Sequence, residues 1–195
     1  ILVVRNGDEP VAPSDGVEYE ATPGNDISKI NSSTQQTSEE SIVVYKGPNT
    51  SVTVNGLNSG EKYFFSVYAY NGTSSISRYL TDANTGDYRT IVDTTTLAKE
   101  PISPPANLEI TEIGSDYLTL KWTPGNGENR MLVCQEANAV SASPTDGNYY
   151  PGNNKFGIDS CQFGNGFVVY NGGVYNTIKV ENLIPNTNYY FALFE

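Results

Sequence analysis

The chain repeats itself, and that constrains its fold more than any other feature. Gly47 closes the run Ile42-Val43-Val44-Tyr45-Lys46-Gly47, and Gly172 closes Phe167-Val168-Val169-Tyr170-Asn171-Gly172. The segment from Val52 to Leu57 matches Ile178 to Leu183, and Tyr63-Phe64-Phe65 matches Tyr189-Tyr190-Phe191. Upstream, Pro13-Ser14-Asp15-Gly16 matches Pro144-Thr145-Asp146-Gly147, and Leu2-Val3-Val4 matches Leu132-Val133-Cys134. The order of the blocks is kept. The 195 residues therefore hold about one and a half copies of a period near 126. The first copy starts late in its own pattern and the second stops early, so a window on a longer repeat protein is expected.

Each block reads as a strand. Val52, Val54 and Leu57, like Ile178, Val180 and Leu183, alternate and then meet a turn. Leu118, Leu120 and Trp122 alternate in a further strand, separated from Leu108 and Ile110 by the turn signal Gly114-Ser115-Asp116. No stretch has a sustained 3.6-residue apolar period, and the polar segment Thr37 to Glu40 allows at most one helical turn. Many short strands with turns drawn from 18 Gly and 11 Pro predict an all-β chain of sandwiches.

Composition removes several functions. The chain has no His, which excludes Ser-His-Asp and Cys-His chemistry and His-ligated zinc. A net charge of −11 disfavours binding to nucleic acid and to anionic membranes. No run of about 18 apolar residues is present to insert into a bilayer.

From Pro105 the unit reads Pro105-Ala106-Asn107-Leu108, then Leu118 to Trp122, then Leu183-Ile184-Pro185-Asn186-Thr187-Asn188-Tyr189. This resembles a fibronectin type III domain. The resemblance implies tandem immunoglobulin-like sandwiches, both incomplete at the chain ends, with Trp122, Tyr63 and Tyr189 as structural residues. Tyr63 and Tyr189 take the place of the tyrosine corner, whose hydroxyl bonds back to nearby backbone. The first copy departs at Ser59 and Gly60, where Pro and Thr are usual. The period also exceeds the ~100 residues of such domains. The surplus runs from Asn6 to Glu40 and from Gln135 to Gly166 and carries the shared Pro-x-Asp-Gly motif. In this respect the chain is similar to modules of large secreted or cell-surface Bacteroidetes proteins, including adhesins and gliding or type IX secretion cargo. That similarity implies an extracellular or cell-surface location.

Within the inserts, Asp15 and Asp146 are weak calcium candidates or plain turn residues. No Asp-x-Asp-x-Asp-Gly loop with a closing Glu occurs, which excludes an EF-hand, and no other cofactor is expected. Tyr19, Tyr149, Tyr150 and Phe156, with Phe163, are candidate ligand-contact aromatics, or they pin the insert to the sandwich. Cys134 and Cys161 occur only in the second copy and, in a secreted protein, are expected to form a disulfide. Asp93-Thr94-Thr95 resembles an O-glycosylation context of Bacteroidetes, with Thr94 as the acceptor.

The expected organisation is one module over residues 1–97 lacking its first two strands, a Pro-rich linker over 98–104, and a second module over 105–195 lacking its last. The missing strands are expected from elsewhere in the same long chain or from a neighbouring subunit. The expected role is a non-catalytic extracellular repeat segment for adhesion or spacing, meeting a protein or glycan surface and neighbouring repeats. A carbohydrate-binding accessory module of a polysaccharide-degrading enzyme is the alternative.

Overall fold

The computed structural model describes residues 1–81 and 90–195. Arg89, which precedes the apolar pair Ile91-Val92, lies outside the described residues. The chain divides into two compact units, Ile1–Lys99 and Glu100–Glu195, and among the described residues it contains strands and short 3-10 turns only.

Unit 1 holds β1 (Leu2–Asn6), β2 (Gln36–Ser38), β3 (Ser41–Tyr45), β4 (Lys62–Val67), β5 (Tyr70–Asn71), β6 (Arg78–Tyr79) and β7 (Thr90–Thr95). They form a sheet in the order β2-β3-β1-β4-β7 and a separate β5-β6 pair. Unit 2 holds β8 (Ala106–Ile113), β9 (Leu118–Thr123), β10 (Arg130–Glu136), β11 (Gln162–Phe163), β12 (Gly166–Gly172), β13 (Thr177–Val180) and β14 (Tyr189–Phe194). Here the order is β11-β12-β10-β14 in one sheet and β13-β9-β8 in the other. The chain is thus all-β, and unit 2 is a two-sheet sandwich. The Thr37–Glu40 segment, which allows at most one helical turn, belongs to β2 and its turn into β3.

The larger sheets match residue for residue. Leu2 faces Val67, Val4 faces Phe65 and Asn6 faces Tyr63; likewise Leu132 faces Leu193, Cys134 faces Phe191 and Glu136 faces Tyr189. A register shift falls between Leu2 and Val3, and its counterpart between Leu132 and Val133. Register is set by which residues must be buried, because a one-residue slip would exchange the two faces.

Both faces of these sheets are covered, at least in part. That explains why their central strands read as unbroken apolar runs rather than as alternation. In unit 1, Ile1, Val3 and Val43 pack against Tyr19, Tyr68 and Tyr79, which come from the insert and from the chain beyond β4. In unit 2, Met131, Val133 and Val168 pack against Phe163, Tyr150 and Phe194 on the equivalent face. The surplus residues of the repeat therefore form a layer that roofs one side of each sheet.

The opposite faces differ. In unit 2, Leu132, Cys134 and Val169 are sealed by Leu120 and Trp122 of β9, Val180 of β13, and Leu183. Each such side chain contributes about 1.5–3 kcal/mol when fully buried. In unit 1, among the described residues, Val4, Val44 and Tyr63 are covered by half-buried Ile27, Val54 and Leu57, and no counterpart of β8 and β9 exists. The strand expected over Val52 to Leu57 is not formed there; only Asn55 makes an isolated bridge, to Asp26. Its counterpart Ile178 to Val180 lies in β13 because β9 supplies the paired edge.

Candidate functional site

The inserts are the regions that could carry function, and each is built from the Pro-x-Asp-Gly turn outward. Gly16 and Gly147 sit at φ of +75° and +78°, a conformation a side chain would strain. The Tyr19 hydroxyl accepts the Ser14 N–H at 3.2 Å, and the Tyr150 hydroxyl accepts the Thr145 N–H at 3.0 Å. Tyr150, not Tyr149, is therefore the partner of Tyr19. Next, Thr22 N–H donates to the Val43 carbonyl at 2.9 Å, and Asn153 N–H to the Val168 carbonyl at 3.1 Å. Finally, Asp26 bridges Asn55 and Lys155 bridges Glu181, both in parallel.

Two further tyrosine pairs hold the backbone in the same manner. Tyr63 and Tyr189 accept the N–H groups of Asn58 at 3.0 Å and Ile184 at 2.9 Å, the contact expected of a tyrosine corner. Tyr45 and Tyr170 accept those of Asn49 at 2.8 Å and Tyr175 at 2.9 Å. This last pair escapes a reading by apolar pattern. The signal for it was the Tyr-x-Gly that ends both Val-Val strands.

The acidic groups of the first insert are tied into local structure. The Asp15 carboxylate accepts the Tyr79 N–H at 2.8 Å and pairs with Arg78 at 2.9 Å. The N–H, then the guanidinium, hold its pKa below the ordinary carboxylate value. Glu18 is lowered mainly by the Ser74 hydroxyl at 2.8 Å and by Lys46 at 3.1 Å. Asp26 is lowered by the Ser28 hydroxyl at 2.6 Å, then by its N–H. A calcium ion at Asp15 would have to displace a guanidinium. Asp146 instead borders a cleft of about 270 Å³ with Asn129, Asn148, Tyr150 and Asn171. Among the described residues no three His, Cys, Asp or Glu side chains converge as metal ligands would.

Of the four candidate aromatics, three pack inward, as residues that pin the insert to the sandwich would. Tyr19 is buried edge-on against Tyr79. Phe156 lies in the core, edge-on to Phe167 and Tyr189. Tyr150 packs edge-on against Phe163 at 5.1 Å. Tyr149 alone of the four projects outward, with 83% of its surface exposed. Trp122 is 2% exposed and packs on Tyr170, with ring centroids 5.5 Å apart. Thr94 lies exposed on β7.

The expected disulfide is absent: Cys134 and Cys161 are both free and buried. The sheet order supplies the reason. Cys161 leads into β11, Cys134 lies on β10, and β12 runs between them. Two inter-strand spacings amount to about 10 Å, beyond the ~7 Å that a disulfide spans between Cα atoms. Cys134 takes the place of Val4 in the core, and burial pushes its thiol up to about 12.

No protein-family model matches the chain, and no curated protein does. Among solved structures it is similar to domains A168-A170 from titin, with 12% identity and a TM-score of 0.37 over 99% of this chain and 47% of that one. The chain thus spans less than half the length of that structure.

Proposed function

We propose that this chain is a non-catalytic run of repeated β modules that works outside the cell as a spacer and in adhesion, as its resemblance to Bacteroidetes surface proteins implies. One observation carries the reading: what recurs between the units is scaffold. The recurring parts are the strand registers, the tyrosine hydroxyls bound to backbone N–H groups, and the pins of the inserts. Apart from Asp15 and Asp146 of the shared turn, the charged groups of the inserts differ between units, as expected of surfaces that diverge while a frame is kept. The test is to tether the chain between two surfaces and record force against extension. Reproducible, separate rupture of the units supports a spacer, whereas turnover of any glycan by the chain overturns the reading.

The exposed ring of Tyr149, one residue from the Asp146 cleft, favours a second reading, glycan binding by unit 2. On a glycan array that reading requires retention that Tyr149→Ala lowers at least about tenfold. Equal retention by both proteins removes it, and repeating the array with a chelator reads any role for calcium.

A further inference from the structure

We infer that the sheet face of unit 1 that no second sheet covers among the described residues is a docking site for an added β-hairpin of the kind formed by β8 and β9. The face is apolar across its width. Ile42, Val4, Phe65 and Val92 form one row over four strands, and Val92 is 61% exposed. One row on, Leu2 faces Val67, which is 53% exposed. The matching row of unit 2, Phe167, Cys134 and Phe191, lies under its second sheet. The molecule itself therefore displays what covers this surface.

The register states what the occupant must present. In unit 2, Leu118 and Leu120 face Val180 and Ile178, and Trp122 lies against Tyr170. The equivalents in unit 1 are Val54, Val52 and Tyr45. All three are half-buried, and among the described residues no strand pairs with Val52 to Val54. The occupant's inner strand thus carries Leu-x-Leu-x-Trp and runs antiparallel to Val52–Val54. Backbone hydrogen bonds supply affinity and the alternating side chains supply specificity. A pocket of about 400 Å³ lined by Val4, Ile27, Ile42 and Tyr63 remains open on the same face. In unit 2 the larger Phe156 stands where Ile27 does. A repeat of this same kind is the source that matches, because it brings this hairpin in this register.

The test splices a second copy of residues 105–130 directly onto Ile1 of the full chain, since Met131 holds in unit 2 the place of Ile1 in unit 1. Hydrogen exchange is then read at Val52 to Val54, with Ile178 to Val180 as the check that unit 2 is folded. The expected result is a monomer in which Val52–Val54 amides exchange at least about 100-fold more slowly than in the parent. The added tryptophan should emit as a buried indole. Adding Leu120→Ser and Trp122→Ser in the new copy should abolish both effects. Unchanged exchange beside a folded unit 2 overturns the inference, as does equal slowing by the doubly substituted copy. Self-association of the parent that already protects these amides also overturns it, because the occupant is then a second copy. If the spliced chain precipitates, a peptide of residues 105–124 is added in trans, and no slowing at about 1 mM peptide overturns the inference.

Discussion

Val52 to Leu57 and Ile178 to Leu183 have the same alternation and follow strands in the same register, yet only the second becomes a strand along Thr177–Val180. Val180 is fully buried, whereas Val54 is half-buried. The difference lies outside both segments. β9 offers an edge to one and nothing among the described residues offers an edge to the other. Alternation thus records a readiness to pair, and the strand exists only when backbone partners and a facing layer are present.

The sharpest way to break this comparison is to remove the lid of unit 2. Trp122→Ala should cost about 3–5 kcal/mol and loosen β13 toward the state of Val52–Val54. Amide exchange at Ile178–Val180 is the measurement. Next, Val180→Ala should cost about 2 kcal/mol and Val54→Ala clearly less. Urea midpoints read by Trp122 emission for unit 2, and by amide exchange for unit 1, compare the two directly. Equal costs would mean that the open face is sealed after all. Tyr63→Phe and Tyr189→Phe should each cost about 1 kcal/mol by leaving a backbone N–H unpaired. The larger loss is expected at Tyr63, which is 1% exposed.

A smaller effect is expected from acid. A carboxyl with a depressed folded pKa stabilises above its unfolded value, 3.8 for Asp15 and Asp26 and 4.5 for Glu18, and loses that contribution as pH falls through the folded value. Unit 1 should therefore weaken below about pH 4.5, and Asp15→Asn should flatten part of the decline in its urea midpoint. The smallest effect should come from Cys134→Val, which installs the residue of unit 1. The change should stay within about 1 kcal/mol, whereas loss of a disulfide would cost about 2–5 kcal/mol.

The sheets were legible because both copies print the same apolar blocks in the same order, and burial then dictates register. The inserts were legible only as a repeated Pro-x-Asp-Gly. Choosing between Tyr149 and Tyr150 needs the backbone contact to Thr145, which no apolar pattern encodes. The cysteines misled because their spacing is silent about β12 running between them. The separation of the two faces, one roofed by the insert and one by a second sheet, was hidden for a similar reason. A strand buried on both sides shows an unbroken apolar run and does not say what lies on each side.

The three pins of each insert carry a consequence for how such a chain can change its length. The turn tyrosine, the N–H of Thr22 or Asn153, and the parallel bridge at Asp26 or Lys155 recur in both copies. From Tyr19 to Thr22 and from Tyr150 to Asn153 the spacing is the same, while the arcs from Thr22 to Asp26 and from Asp26 to Gln36 are longer than Asn153 to Lys155 and Lys155 to Gln162. Insertions and deletions have thus accumulated between fixed rivets. A loop grown in either arc would extend outward from an undisturbed frame, which makes these arcs the natural places to graft a foreign peptide.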